Sequence, residues 1–162
     1  MILTLDELDP WREQWRRDGQ SVVWTNGCFD VLHVGHVRSL QQAKSLGSIL
    51  VVGLNDDASV RSLKGPDRPI FPVAERAEML DALRVVDAVV VFSDLVPLAA
   101  VARLQPDVYC KGDDYRDAEL PEAEVVHGYG GRVEFLTFVP QRSTSEVLTR
   151  IDGSTLGGGD SG

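Results

Sequence analysis

Histidine and cysteine are scarce in this chain, whose 162 residues include three histidines and two cysteines. The cysteines, Cys28 and Cys110, lie far apart and form neither a CxxC pair nor a zinc-binding spacing. No charged segment leads into an apolar run of the signal-peptide kind, and no apolar run approaches the roughly 18 residues that span a bilayer. We therefore expect a cytoplasmic protein with no membrane partner.

Positive charge is also in short supply. The chain has 16 lysines and arginines against 25 aspartates and glutamates, which gives a formal net charge of -9. This balance argues against broad electrostatic binding to nucleic acid or anionic lipid, although it allows a local basic pocket for a small anion. With 43% hydrophobic residues, the chain suits one folded domain with a sizeable core.

Apolar runs of the β type alternate with segments of helical periodicity along most of the chain. The predicted strands are 21–27, 48–55, 86–92, 107–110 and 132–138. The predicted helices are 3–19, 34–46, 73–84, 95–104, 120–129 and 143–151, and a long polar loop is predicted at 56–72. The alternation is typical of α/β proteins, so we predict a single Rossmann-like three-layer domain with a parallel sheet of about five strands. This domain spans residues 1–151, and the glycine- and serine-rich residues 152–162 form a disordered tail.

Two of the three histidines occur in one short stretch, TNGCFDVLHVGH, residues 25–36. The stretch lies between the first strand and its helix, where unsatisfied backbone N–H groups and the helix dipole favour an anion. Gly27 and Gly35 allow a tight turn or a close approach of the backbone to a ligand. His33 and His36 are three residues apart and can share one helix face, each offering an N–H to a phosphate oxygen.

Each of these residues also has a purely structural interpretation. The histidines could form a capped, solvent-facing turn, and Lys64 in the 56–72 loop could be a solvated surface lysine. Arg76 is a cation in the first turns of a helix, which indicates either an anionic partner or an ion pair with a nearby glutamate. Asp30 does not fit a simple phosphate cradle; it could cap the helix or bind a ribose hydroxyl, an ammonium group or Mg²⁺.

CFDVLHVGH, residues 28–36, resembles the HxGH signature of the cytidylyltransferase-like nucleotidyltransferases. Residues 54–92 resemble the corresponding part of the heptose-phosphate adenylyltransferases, which form the second domain of a bifunctional enzyme of ADP-heptose synthesis. PDVYCKGDDY (106–115) and RSTSEVL (142–148) follow in the same order as in that family. The resemblance covers residues 3–151, and several motifs in the right order make it far more specific than HxGH alone.

The resemblance implies that a phosphate oxygen of a phosphomonoester attacks the α-phosphorus of a nucleoside triphosphate and that pyrophosphate leaves. The protein must then align two anions and neutralise charge at phosphorus. Catalytic roles are implied for His33, His36 and Lys64. Nucleotide contacts are implied for Thr25, Asn26, Gly27, Cys28, Phe29, Gly35, Lys111, Gly112, Arg142, Ser143, Thr144 and Ser145. Substrate contacts are implied for Asp30, Arg76, Asp113 and Asp114. Mg²⁺ arrives with the nucleotide, no residue is assigned as a metal ligand, and a homodimer is expected.

Two pairs of substrates stay open at this point. The long match at 54–92 favours ATP with heptose 1-phosphate, giving ADP-heptose and pyrophosphate. Asp113 in KGDDY is closer to the glycerol-phosphate and ethanolamine-phosphate cytidylyltransferases, and it favours CTP with an alcohol phosphate. Arg142 stands where the family has a glycine-led motif and adds a cation near the triphosphate. A nucleotide-binding regulatory domain without catalysis is a third interpretation, which the intact HxGH motif, Lys64 and Arg76 disfavour.

Overall fold

The structure, a computed structural model, describes residues 1–113 and 120–137. The strands in these ranges are β1 (Ile2–Leu3), β2 (Val22–Gly27), β3 (Ile49–Asn55), β4 (Ala88–Phe92), β5 (Val108–Gly112) and β6 (Arg132–Leu136). The helices there are α1 (Leu8–Arg17), α2 (Val34–Lys44), α3 (Asp57–Lys64), α4 (Val73–Asp81), α5 (Leu98–Leu104) and α6 (Pro121–Gly128). A turn of 3-10 helix at Leu5–Glu7 precedes α1.

All neighbouring strands run parallel, in the order β1-β4-β3-β2-β5-β6. Every residue of β3 is buried, as its uninterrupted run ILVVGLN predicts for a strand covered on both faces. The chain adds β3 and β4 on one side of β2 and then returns to place β5 on the other side. The strand order therefore reverses between β2 and β5, where such sheets open a crevice at the carboxyl ends of the strands.

Two hydrophobic cores lie on opposite faces of the sheet. Along β2, Val22 and Trp24 belong to the core that includes buried residues of α1, α5 and α6, whereas Val23 belongs to the core that includes buried residues of α2 and α4. Side chains of a strand alternate between the two faces, so each strand contributes to both cores. The predicted α/β domain with three layers and a parallel sheet is thus confirmed.

The sequence prediction missed one edge strand. Ile2 pairs with Val89 in β4, which brings the described sheet to six strands where about five were predicted. Two residues are too few to give a periodic pattern. The prediction made Leu3 the first residue of a helix and assigned Ile2 to no element. The predicted helix at 3–19 was wrong in its first turn, because regular α-helix begins only at Leu8.

A helix occupies the first half of the segment predicted as a polar loop at 56–72. Asp56 caps α3, since its Oδ1 accepts a hydrogen bond from the Ser59 N–H at 2.7 Å. The helix ends after Lys64, because Gly65 has a positive φ of 104° that a residue with a side chain rarely adopts. Lys64 therefore lies where helix and loop meet.

The predicted last helix at 143–151 and the predicted tail at 152–162 lie outside the described residues. Within 1–113 and 120–137, none of the helices is long and apolar enough to cross a membrane.

Candidate active site

The carboxyl ends of β2 and β5 carry several residues that were predicted to bind the nucleotide. Thr25, Asn26 and Gly27 are the last three residues of β2, and Lys111 and Gly112 are the last two of β5. The two strands pair directly, so these residues are neighbours at the switch point of the sheet. The fold thus brings together two predicted motifs that are about 80 positions apart in the sequence.

The chain leaves β2 through a turn at Phe29, which has a positive φ of 44°. This conformation is unusual for a residue with a large side chain and persists only where the surroundings hold it in place. The Phe29 ring lies against Gly27, where a Cβ would be 3.2 Å from the ring, and its centroid is 5.2 Å from that of His36. Because Gly27 has no side chain, the Phe29 ring can pack closely against it while the backbone at Phe29 turns toward α2.

His33 and His36 form a stacked pair at the amino end of α2. His33 is the N-cap residue, and its Nδ1 accepts from the Gly35 N–H at 3.1 Å. The Nδ1 of His36 accepts from the His33 N–H at 3.4 Å, and the two ring centroids are 3.9 Å apart. A neutral ring whose Nδ1 accepts carries its proton on Nε2. The pair therefore presents Nε2–H donors at a helix end that already favours anions.

Burial and the neighbouring His33 together lower the pKa of His36 to about 4. The largest cause is burial, which disfavours the charged ring, and repulsion by a charged His33 adds to it. At neutral pH His36 is thus a neutral hydrogen-bond donor. An anion placed against the ring would favour the charged form and raise this pKa.

Asp30 ties the HxGH segment to the loop that follows α3. It is only 3% exposed, and its Oδ1 accepts from the backbone N–H groups of Ile70 (2.6 Å) and Phe71 (3.2 Å). Its other oxygen pairs with the guanidinium of Arg68. Both carboxylate oxygens are thus engaged by protein donors. Asp30 therefore holds the loop, and its predicted contact with the substrate stays a prediction.

Arg76 is fully buried near the start of α4 and also binds protein groups. Its Nε donates to Phe71 O at 2.9 Å, and its Nη1 donates to Cys28 O at 2.6 Å and Asn55 O at 2.9 Å. Its Nη2 pairs with Asp57 at 2.7 Å. The guanidinium therefore joins the ends of β2 and β3 to the starts of α3 and α4. These carbonyls and the carboxylate surround its charge, so Arg76 positions the four segments, and its predicted contact with a substrate phosphate stays a prediction.

Lys64 is exposed at the end of α3 and acts electrostatically on the segment after β2. Burial raises the pKa of the Cys28 thiol, and the positive charges of Lys64, Arg76 and Arg68 partly oppose that rise. Three cations, from α3, from α4 and from the loop between them, thus act on one point beside the histidine pair. Cys28 itself is a half-buried free thiol with a raised pKa, which argues against a nucleophilic role.

A buried polar network supports the end of β5. The Tyr109 hydroxyl donates to Glu122 Oε1 at 2.7 Å and lies 3.0 Å from Asn26 Oδ1. Lys111 Nζ is 3.5 Å from the same carboxylate, of which only a few per cent is exposed. Glu122, in α6, therefore holds Lys111 and orients Asn26 through Tyr109. The prediction missed Tyr109 and Glu122, although a tyrosine in the buried strand DVYC signals a hidden polar partner.

Several predicted residues lie outside the described part of the chain. They are Asp114 and the RSTS residues Arg142, Ser143, Thr144 and Ser145. Asp113 lies directly after β5, at the same edge of the sheet as Lys111.

The described residues do not fit a resident metal ion. Within 1–113 and 120–137, no group of three or more histidine, cysteine, aspartate or glutamate side chains is arranged to hold one. Asp30, the buried carboxylate of the HxGH segment, is engaged by Arg68 and two backbone N–H groups. A divalent ion at this site would therefore be held mainly by phosphate oxygens of a nucleotide, as Mg²⁺ commonly is.

Fold and site together define an α/β protein with a histidine pair at a helix amino end, beside the switch point of a parallel sheet. Comparison with known sequences makes this more specific, because residues 24–147 match the cytidylyltransferase-like family. The chain belongs to the cytidylyltransferase-like family. The predicted family and the predicted enzyme class, a nucleotidyltransferase, are both confirmed by this match and by the relatives described next.

The curated relatives carry the name bifunctional protein HldE. The chain is 50% identical over 150 residues to that of Geotalea uraniireducens, covering 93% of this chain and 31% of the relative. It is 52% identical over 136 residues to that of Syntrophotalea carbinolica, covering 84% and 28%. The chain thus spans about three-tenths of the length of these relatives.

Two solved structures have a similar fold. The lipopolysaccharide core biosynthesis protein from Thermoplasma volcanium superposes with a TM-score of 0.64 at 27% identity, covering 76% of this chain and all of that one. The pantoate-beta-alanine ligase from Francisella tularensis superposes with a TM-score of 0.61 over 90% of this chain and 69% of that one. Its identity of 16% supports the shared fold alone.

Proposed function

We propose that the chain transfers AMP from ATP to heptose 1-phosphate, giving ADP-heptose and pyrophosphate. The observation that carries the proposal is the stacked pair of His33 and His36 at the amino end of α2, beside the switch point, with a neutral His36 ring. The choice of a heptose rests on the resemblance of residues 54–92 to the heptose-phosphate adenylyltransferases. Relatives near 50% identity that share the name HldE support it.

The proposed chemistry needs hydrogen-bond donors and not a general base. An ionised phosphate oxygen of the sugar phosphate forms the new bond to the α-phosphorus, and the bond from that phosphorus to the bridging oxygen of pyrophosphate breaks. No proton has to be removed from the nucleophile. The Nε2–H groups of His33 and His36 would donate to phosphate oxygens, whose negative charge they stabilise as the bond order changes. A low pKa for His36 suits a donor that is already neutral at pH 7.

Lys64 would complete the charge around the triphosphate. It is the last residue of α3 and precedes the loop that Asp30 and Arg68 hold against the HxGH segment. A lysine at such a junction can move its ammonium group over several ångströms while its backbone stays fixed. We propose that it contacts the phosphates once the nucleotide, with its Mg²⁺, is bound.

The test is the release of pyrophosphate by the purified chain with Mg²⁺. ATP, CTP, GTP and UTP are each supplied with heptose 1-phosphate, with glycerol 3-phosphate or with no acceptor. We expect release only with ATP and heptose 1-phosphate, together with the ADP-sugar in a ratio of one to one. A preference for CTP, or equal release without an acceptor, would contradict the proposal.

A second candidate keeps the reaction and changes both substrates to CTP and an alcohol phosphate such as glycerol 3-phosphate. Asp113 favours it, because it directly follows Lys111 and Gly112 at the end of β5 and gives the KGDD sequence of such enzymes. We rank it second, since the match at 54–92 is much longer. Product formation with glycerol 3-phosphate in the same assay would reverse the order.

A further inference from the structure

A basic pocket lies at the opposite end of the sheet from the switch point. It has a volume of about 420 Å³ and opens between α1 and the segments that lead into β5 and β6. Its polar lining consists of Arg12, Arg16, Gln105, Asp107, Tyr129 and Arg132. β5 separates this amino-terminal pocket from the proposed active site by roughly 16 Å, given five residues of strand.

Three arginines are an unusual concentration for a chain with a formal charge of -9. The carboxylate of Asp107 offsets only part of their charge, since it accepts from the Val22 N–H at 2.7 Å and lies 3.4 Å from Arg12. Arg16 donates to the neutral side chain of Gln105 at 2.7 Å. Among the described residues, Arg132 pairs with the half-buried Glu134 near the surface, and such surface pairs are weak. The pocket therefore retains positive charge that the described residues do not neutralise.

Two buried donors in the pocket wall make no hydrogen bond within the described residues. They are the Nε of Arg12 and the hydroxyl of Tyr129. Burial raises the pKa of the Tyr129 hydroxyl, which therefore keeps its proton at neutral pH. Burial lowers the pKa of Arg12, but a guanidinium group stays charged in proteins. Buried donors are nearly always paired, and an unpaired one in a native structure calls for an acceptor. Both belong to side chains that line the cavity.

The backbone around the pocket is shaped to form it. Gln105 has a positive φ of 48°, and its carbonyl accepts from Arg12 at 2.8 Å. A Cβ at Gly131 would lie 2.9 Å from the carbonyl oxygen of Pro106 and 2.8 Å from the Tyr129 ring, so only glycine allows this approach. Gln105 is the left-handed C-cap that ends α5, and with Gly131 it brings the two segments together at the pocket wall.

We propose that this amino-terminal pocket binds the phosphate group of a small phosphorylated molecule. Guanidinium groups bind phosphate oxygens in pairs of parallel hydrogen bonds, and Arg12, Arg16 and Arg132 approach the cavity from two sides. The volume exceeds that of a bare phosphate and leaves room for a sugar-sized body. The pocket is separate from the proposed active site, so it does not depend on the proposed function.

The experiment is a titration of the isotope-labelled protein followed by NMR, with Mg²⁺ and a non-hydrolysable ATP analogue added first. Inorganic phosphate, glucose 6-phosphate and glucose are the probes. We expect both phosphates to shift the amide signals of Gly130 and Gly131, and glucose to leave them unchanged. Shifts confined to residues 25–36, or equal shifts with glucose, would overturn the proposal.

Variants of exposed arginines keep the test independent of folding. The double variant Arg16→Ala, Arg132→Ala should raise the dissociation constant for glucose 6-phosphate at least tenfold, because two charged donors are lost. The control Arg17→Ala removes a neighbouring charge of α1 outside the pocket lining and should change it less than twofold. An equal loss in the control would mean non-specific attraction and would overturn the proposal. Thermal midpoints verify that all variants are folded.

Discussion

At the scale of single residues, the stacking of His33 and His36 means that protonation of one ring disfavours protonation of the other. Centroids 3.9 Å apart leave little room for two imidazolium ions, and burial of His36 already disfavours its charged form. The backbone N–H groups of His33 and Gly35 fix both Nδ1 atoms as acceptors. The helix start thereby determines which nitrogen of each ring carries the proton, before any ligand is bound.

Replacing His36 tests whether the ring acts on the substrate or only caps the helix. We expect His36→Ala to lower kcat by about 10²- to 10³-fold, the usual loss for one donor to a transition-state oxyanion. The thermal midpoint should fall by only about 2–4 °C, as expected for about 1 kcal/mol in a chain of this size. His127→Ala, at an exposed histidine of α6, is the matched control and should leave both quantities unchanged. Full activity with a lowered midpoint would show that His36 is only structural.

The depressed pKa of His36 predicts how stability depends on pH. Its pKa is about 4 in the folded chain and 6.5 in the reference state, so the unfolded chain binds more protons between these values. The contribution of His36 to the free energy of unfolding is therefore complete above pH 6.5 and is lost as the pH falls toward 4. An NMR titration of the His36 ring should give the low midpoint, and bound nucleotide should raise it. A midpoint near 6.5 without ligand would contradict the burial argument.

The histidine pair could be predicted from residue type and spacing alone, because its contacts are local. Asp30 and Arg76 could not, since their partners are distant in sequence. Asp30 binds the backbone at positions 40 and 41 residues further on, and Arg76 reaches a carbonyl 48 residues before it. The sequence shows that a carboxylate lies in a predicted anion site and a cation near a helix start. Only the fold shows which backbone groups surround them.

At the scale of elements, Arg76 links four segment ends through one guanidinium. Lysine keeps the charge but loses the planar fork, so we expect Arg76→Lys to destabilise the chain by about 3 kcal/mol, as when one partner of a buried network is lost. Chemical denaturation measures this loss. Arg84→Lys, at an exposed arginine, is the control and should have no effect. If Arg76 instead contacted the substrate directly, its variant would raise KM without lowering stability.

Replacing Lys64, where α3 meets its loop, tests whether this side chain contacts the phosphates. We expect Lys64→Ala to lower kcat by about 10- to 100-fold, corresponding to one charge-assisted hydrogen bond, and to leave the thermal midpoint unchanged because the side chain is exposed. Arg61→Ala removes another exposed cation of the same helix and should retain activity. Unaltered kinetics for Lys64→Ala, or an equal loss in both variants, would exclude a specific contact of Lys64 with the phosphates.

The elements themselves were predicted well where periodicity was long. Strands β2 to β6 and helices α2, α4, α5 and α6 lie where the sequence placed them, with ends shifted by a few residues. α3 was missed because its polar residues and the prolines after it resemble a loop, while the cap at Asp56 was overlooked. β1 was missed because pairing with β4, and not its own two residues, makes it a strand.

At the scale of the whole molecule, the parallel sheet has a basic feature at each end. The carboxyl ends of β2 and β5 hold the histidine pair and Lys111, and the amino ends of β5 and β6 hold the amino-terminal pocket. On a chain with a formal net charge of -9, such local clusters of donors favour small anions over an extended polyanion such as nucleic acid. The homodimer expected from the sequence stays a prediction, which light scattering of the purified chain tests.

Between these two ends, a close contact of Gly53 with Trp24 in the centre of the sheet contributes to the stability of the fold. Gly53 of β3 faces the indole of Trp24, and a Cβ there would lie 2.2 Å from the ring. Trp24 is fully buried and packs against Phe92, so it cannot move away freely. We expect Gly53→Ala to destabilise the chain by about 1–3 kcal/mol through overpacking, which lowers the thermal midpoint by about 2–12 °C. Gly128→Ala, at a helix end with open space around it, is the matched control and should leave the midpoint unchanged. Equal midpoints for both variants would show that the core adapts to the extra methyl group.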